Sequence, residues 1–223
     1  MSFKGAIFDL DGVIVNTVPL HFKAWKRMFG EYGKEFTMKD YEEKVDGIPR
    51  MDGARAILTE LSQEELENAA LKKQRYFLEF LIEEGVNVYD STVNLMKELK
   101  SSSVSVAVIS SSKNCPDILS KAGVYPYIDV EINGKQIVRG KPDPWIFEEA
   151  AKRLRLEPSE CVVFEDAVLG VEAGKRANMF TVGIDRRNAP ERLKKADMVV
   201  KDLSEVNFEK LNNILSGKVN RSV

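Results

Sequence analysis

The sequence predicts an α/β fold: a doubly wound parallel sheet, left once by the chain to build a helical insert. Three observations carry this. Short apolar runs recur at 5–8, 104–108, 162–164, 180–184 and 198–200, the length and composition of strands buried on both faces. Helical patterns at 93–100, 116–122, 145–154 and 168–177 lie between them, the alternation of a parallel sheet with crossover helices. That alternation lapses over residues 17–85, where no β-branched strand run occurs.

In chain order, Gly5-Ala6-Ile7-Phe8 ends in Asp9-Leu10-Asp11-Gly12, an apolar strand that runs into polar residues and a glycine turn. Pro19 suits the first turn of a helix, and Trp25, Met28 and Phe29 follow at helical spacing. Residues 63–84 form the strongest helix in the chain, with Leu66, Ala70, Tyr76/Phe77 and Phe80/Leu81 on one stripe. Lys73 falls on that same apolar face, where a lysine either snorkels out or meets an anion. The expected organisation is a sheet domain of 1–16 and 86–223 and a helical domain of 17–85. The linkers fall at 15–17 and 84–90, with Asn16 and Gly85 at the two crossings.

Composition excludes several classes. The 223 residues are 43% hydrophobic and 30% charged, which rules out a disordered chain, a collagen and a disulfide scaffold. Thirty-three Lys+Arg against 35 Asp+Glu give a formal charge of −2, so no basic field argues for nucleic acid. Cys161 opens an apolar run and reads as a small buried hydrophobe; Cys115 reads as a helix-start residue. Two cysteines and one histidine cannot make a structural zinc site. No apolar run reaches the roughly 20 residues that span a bilayer. The expectation is a cytoplasmic protein that binds neither nucleic acid nor membrane.

Four segments fall at or near the carboxyl ends of these strands, where open α/β sheets hold their ligands. Asp9 and Asp11, two residues apart, lie on the same side if the backbone is extended. The bland alternative is a solvated acidic turn. Ser110-Ser111-Ser112-Lys113-Asn114 offers hydroxyls and free N–H groups to a phosphate, or merely caps a helix. In Gly140-Lys141-Pro142-Asp143-Pro144 a lysine precedes proline, in extended backbone, as a surface residue would also do. Glu165-Asp166 is a second acidic pair, suited with the first to Mg²⁺, or again a solvated turn. Together they fit phosphoryl transfer. Lys141 and Mg²⁺ would offset the charge of a phosphate that a carboxylate must otherwise approach against repulsion. No G-x-x-x-x-G-K-[ST] loop is present, which argues against a nucleoside triphosphatase.

These segments resemble the four motifs of the haloacid dehalogenase (HAD) superfamily of phosphotransferases, along essentially the whole chain. The carrying residues are Phe8-Asp9-Leu10-Asp11-Gly12-Val13, Gly140-Lys141-Pro142-Asp143-Pro144, and Phe164-Glu165-Asp166-Ala167 with Gly170. The chain is most similar to the β-phosphoglucomutase-like group, which has a Rossmann-like core and a helical cap between its first two motifs. The resemblance implies Asp9 as nucleophile, forming an aspartyl-phosphate, and Asp11 as general acid/base. It implies Mg²⁺ held by Asp9, Glu165, Asp166 and the main-chain carbonyl of Asp11. Ser110, Ser111 and Lys141 would hold the transferring phosphoryl group.

It also implies substrate contacts in the cap: Thr17, His21 and Trp25 at the hinge, Gly47 and Arg50 in the loop that selects substrate, and Lys73. His21, the only histidine, is expected to respond in charge near neutral pH. Arg50 would grip a second, non-transferring phosphate, with Ser112, Lys113 and Asn114 completing that subsite. Three positions depart from the group's pattern: Asp46 stands where it has lysine, Asn16 where aspartate is common, and Pro49 where serine is usual.

Three readings follow. The first is a monomeric phosphomutase that converts β-glucose 1-phosphate to glucose 6-phosphate through a hexose bisphosphate. The second is a sugar-phosphate phosphatase that uses the same site and lets water take the phosphoryl group. The third is a receiver-type switch phosphorylated on aspartate.

Overall fold

The computed structural model describes residues 3–45 and 50–217. The chain divides into two units, one joining the chain up to Asn16 to the chain from Asn87 onward, the other Thr17–Val86.

In chain order the elements begin with β1 (Gly5–Asp9), β2 (Val15–Asn16) and α1 (Val18–Glu31). Then come α2 (Met38–Asp40), a π-helical turn at Tyr41–Val45, α3 (Arg50–Ile57) and α4 (Gln63–Glu84). The chain continues through β3 (Asn87–Val88), α5 (Asp90–Ser101), β4 (Ser105–Ile109), α6 (Cys115–Ala122) and β5 (Val130–Ile132). It closes with α7 (Trp145–Leu154), β6 (Cys161–Glu165), α8 (Val168–Arg176), β7 (Phe180–Ile184), β8 (Met198–Val200) and α9 (Phe208–Leu215).

Six strands form one parallel sheet in the order β5-β4-β1-β6-β7-β8. β1 and β6 are buried at every residue, which explains their unbroken apolar runs: both faces of the central strands are covered. Phe8 and Phe164, paired in register, stack with ring centroids 4.4 Å apart. On one face Ile7, Ala107, Ile109, Val163 and Cys161 pack with Phe147 and Ala150 of α7 and Ala173 of α8. The winding runs from β1 out to β4 and β5, then returns across β1 to β6, β7 and β8. The strand order therefore reverses around β1, and the carboxyl ends of β4, β1 and β6 bound the crevice that such a reversal opens.

The helical unit is built on α1 and α4, which pack on each other. α4 is started by a reciprocal cap: Ser62 Oγ accepts from Glu65 N, and Glu65 Oε2 accepts from Ser62 N. Pro19 lies in the first turn of α1, where its missing N–H costs nothing.

The structure adds elements that the sequence pattern did not predict. β5 is three residues, Val-Glu-Ile, too short for alternation to register. The linkers at 15–17 and 84–90 are ordered: β2 and β3 pair antiparallel, Val15 with Val88 and Asn16 with Asn87. α9 is an amphipathic helix capped by Asn207, whose Oδ1 accepts from Lys210 N. Among the described residues no helix is long and apolar enough to cross a membrane.

Candidate active site

β1 ends at Asp9, whose backbone pairs with Ile109 at the end of β4. The chain then turns at once. Ile14 N and Val15 N both donate to Leu10 O, and Gly12 N donates to Val15 O at 2.8 Å. Gly12 takes a φ of +79°, and a Cβ there would lie 2.1 Å from Asp166 Oδ2. A side chain at Gly12 is thus barred twice, by backbone conformation and by the carboxylate beside it. Because the strand stops at Asp9, Asp11 lies in the turn and not on an extended strand. The alternation argument for its direction is corrected accordingly, and its Oδ2 instead accepts from Ser110 Oγ at 3.4 Å.

At the centre, Lys141 Nζ donates to Asp9 Oδ1 at 2.5 Å and to Glu165 Oε2 at 2.6 Å. Lys141 comes from the loop between β5 and α7, and its peptide bond to Pro142 is cis. Asp9 and Glu165 are buried. Glu165 has its other oxygen on the N–H groups of Asp166 and Ala167, at 3.1 and 3.0 Å. Room for this carboxylate exists because residue 170, in the first turn of α8, is glycine. A Cβ there would sit 2.1 Å from Glu165 Cδ and Oε2.

Burial pushes the Asp9 carboxyl well above the usual carboxylate range. Lys141 opposes that shift, and Glu165 and Asp11 add to it. Burial, helped by Glu165, pushes Asp166 up to about 7. Burial works against the charge of Lys141, but Asp9 and Glu165 outweigh it and hold the ammonium above its ordinary value. Carboxylate oxygens of Asp9, Glu165 and Asp166 all lie within 4.8 Å of one another. This is a hard-oxygen donor set with more negative charge than Lys141 can balance, and it fits a small divalent cation.

Ser110 is buried directly beyond β4. Its N–H bonds Ile132 O, and its Oγ accepts from Ser112 N at 3.0 Å. Ser111 is exposed on the outside of this turn, as is Lys113. Ser112 is half-buried and its Oγ accepts from Asn114 N at 3.1 Å, in the turn just ahead of α6. Asn114 occupies the cap position itself. The structure therefore brings together Asp9, Asp11, Ser110, Lys141, Glu165 and Asp166, with Ser111, Ser112, Lys113 and Asn114 in the adjoining turn.

The remaining expected residues lie in the helical unit. Lys73, on the apolar face of α4, is 5% exposed. Its Nζ is 2.8 Å from His21 Nδ1 and lies over the rings of Trp25 and Phe77. His21 stacks on Phe77 with centroids 4.3 Å apart. Thr17 is buried at the cap of α1, and its carbonyl accepts from His21 N. Arg50 opens α3 and bonds Gln74 of α4 through Nη1. Gly47, like Asp46 and Pro49, lies outside the described residues. One expectation is overturned. Burial and the neighbouring Lys73 hold the His21 imidazole well below its usual value, so it stays neutral where a charge response was expected.

Sequence reasoning missed Arg186, two residues past β7. Its Nε donates to Gly12 O at 2.8 Å, its guanidinium lies 3.7 Å from the Tyr89 ring centroid, and Nη1 pairs with Asp202 at 3.3 Å. The only local signal was its place just beyond a strand end, within a run that reads as a charged loop.

The doubly wound sheet and the acidic centre at its reversal point define an α/β enzyme with a Rossmann-like core. Residues 3–178 match the sequence profile of the haloacid dehalogenase-like hydrolases, and the chain belongs to that family. It is 32% identical over 238 residues to a β-phosphoglucomutase of Mycobacterium tuberculosis, with 91% of each chain covered. It is also 32% identical over 217 residues to the validoxylamine A 7′-phosphate phosphatase of Streptomyces hygroscopicus subsp. limoneus, covering 92% of this chain and 97% of that one. The crystal structure of a β-phosphoglucomutase from Clostridium difficile superposes with a TM-score of 0.82 at 30% identity, over 97% of this chain and 98% of that one. As an enzyme of this family, the chain is not the receiver-type switch that the motif pattern had left open.

Proposed function

We propose that the chain is a Mg²⁺-dependent phosphotransferase acting on a hexose phosphate, and that it interconverts β-glucose 1-phosphate and glucose 6-phosphate. The observation that supports this most is the bridge of Lys141 between Asp9 and Glu165. It puts a fixed cation against a carboxylate at a strand end, beside an acidic set able to take a second cation. When bound by Asp9, Glu165, Asp166 and the Asp11 carbonyl, Mg²⁺ supplies the positive charge that lets an anionic nucleophile meet an anionic phosphate.

The rest falls to the chain's own residues. Asp9 attacks phosphorus in line, and the bond from phosphorus to the sugar oxygen breaks. Asp11 gives that oxygen its proton, without which it leaves poorly. Lys141 and Ser110 hold the phosphoryl oxygens, with the N–H of Ser111. This step applies to the 1-phosphoryl group of the hexose bisphosphate and releases glucose 6-phosphate. In the other half-reaction Asp11 takes the proton from the 6-hydroxyl of an incoming β-glucose 1-phosphate, whose oxygen attacks the aspartyl-phosphate. The P–O bond to Asp9 breaks, Asp9 is freed and the bisphosphate is formed again. Thr17, His21, Trp25, Gly47, Arg50 and Lys73 of the insert, with Ser112, Lys113 and Asn114, orient the sugar and its second phosphate. The insert, 17–85, acts as a cap on the sheet domain. The protein acts in the cytoplasm as a monomer, which sedimentation would check.

The second reading, a sugar-phosphate phosphatase, is favoured by one specific finding. A phosphatase is as similar to this chain as a mutase, each at 32% identity. The test is to incubate protein, Mg²⁺, β-glucose 1-phosphate and a trace of glucose 1,6-bisphosphate, and follow the ³¹P spectrum. Glucose 6-phosphate without inorganic phosphate supports the mutase; stoichiometric inorganic phosphate overturns it for the phosphatase.

A further inference from the structure

We propose that Arg186 is a positioning residue for the cation site, acting through the backbone of Gly12. The proposal rests on the Mg²⁺ reading above and adds to it a residue from outside the acidic set. β6 lies between β1 and β7 in the sheet. Gly12 follows β1 and Arg186 follows β7, so their hydrogen bond ties together the loops beyond the two strands that flank β6, whose last residue is Glu165.

The point it grips matters. Glycine is the residue least able to hold its own backbone angles. At Gly12 both peptide groups are held. The N–H, in the same peptide plane as the Asp11 carbonyl, donates to Val15 O at 2.8 Å. The carbonyl accepts from Arg186 Nε at 2.8 Å. With one plane tied within the turn and the next tied to Arg186 in the loop after β7, the backbone is held on both sides of the Gly12 Cα, and the plane of the Asp11 carbonyl is held with it. So is the gap between Gly12 and Asp166, where no Cβ fits.

Arg186 is itself anchored. Asp185 Oδ1 accepts from the N–H groups of Arg187 and Ala189, which sets the loop. Asp202 pairs with Arg186 and also accepts from Ser91 Oγ at 2.8 Å. Tyr89 lies against the guanidinium, and its own N–H donates to Ile14 O at 2.9 Å. A charged bond to a main-chain carbonyl, made by a side chain with three supports, is how ligands of a metal are held to their geometry by residues that do not touch it.

The test is a Mg²⁺ titration of the protein without substrate, read by melting temperature, for wild type, Arg186→Met and Arg186→Lys, with Mg²⁺ half-saturation of turnover measured beside it. The expected result is a half-saturation raised about tenfold or more in Arg186→Met by both readouts, the usual effect of losing such a support. Lysine, which can still donate to Gly12 O, should return most of that loss. An Arg186→Met protein that melts lower but has unchanged Mg²⁺ half-saturation overturns the proposal and leaves Arg186 a structural residue. Failure of both variants to fold overturns it likewise. A wild type that ignores Mg²⁺ is a separate outcome: the metal reading then fails, and this role for Arg186 fails with it.

Discussion

Alanine at position 170 should do the opposite of what helix propensity says. Replacing an exposed helical glycine by alanine gains about 1 kcal/mol. Gly170, in the first turn of α8, is buried, and the new methyl would lie 2.1 Å from Glu165 Cδ and Oε2. Ordinary contact needs more than an ångström extra, and Glu165 has no free direction in which to yield. One oxygen holds Lys141 at 2.6 Å and the other holds two backbone N–H groups. Forcing a methyl into such a site costs about 1–3 kcal/mol. Loosening the charged bond to Lys141 costs about 1.5–3 kcal/mol more. Net of the helix gain, Gly170→Ala should be destabilised by about 1.5–5 kcal/mol. That is a fall in melting temperature of about 3–20 °C for a chain of this size. Because the displaced group belongs to the acidic set, turnover should fall about a hundredfold. Thermal melts and Mg²⁺-supported turnover on the sugar phosphate read both effects. A Gly170→Ala protein that melts above wild type with undiminished turnover would refute the close approach on which this rests.

Asp9→Asn should abolish turnover while leaving the fold intact, checked by kinetics and circular dichroism. Lys141→Met should reduce kcat by about 10²–10³, since Asp9 and Glu165 lose the one cation that bridges them. Asp166, pushed up to about 7, and Asp9, also raised, must shed protons before a cation enters. Mg²⁺ affinity should therefore climb as pH rises through about 7, as calorimetry would record. The same raised groups bind protons in the folded state that the unfolded chain has released. Metal-free protein should thus lose stability as pH rises from about 4 to about 7, and Mg²⁺ should restore it. Both cysteines are buried, and burial pushes the Cys161 thiol up to about 12. A thiol reagent should find neither until the protein unfolds.

What could be read in the sequence is what local pattern encodes. The apolar run into Asp9 is visible because a strand buried on both faces permits no polar residue until it ends. Glu165 shows for the same reason. Lys141 was legible only by its order among the other motifs; that it binds Asp9 and Glu165 is a tertiary fact. β5 escaped because three residues hold no period. Arg186 escaped because an arginine in a charged loop looks the same whether it faces solvent or bonds a main-chain carbonyl 174 positions away. The error over His21 has the same root. Its environment is set by Lys73, 52 positions away, and nothing in the neighbouring residues announces a buried, cation-flanked imidazole.

The pairing of β2 with β3 also bears on how such a chain is assembled and altered. Val15 faces Val88 and Asn16 faces Asn87, so the chain departs and returns at points one strand spacing apart, about 4.8 Å. A module of about 70 residues is thus spliced in through a doorway two residues wide. To the sheet, the module is a closed loop whose ends already meet. A different module of any length could be seated on the same ladder, or a short glycine-rich bridge could replace it, without moving the strand that carries Asp9. On the proposed reading, in which the insert selects the substrate, specificity and chemistry can vary separately, because one can be exchanged as a cassette while the other stays in place.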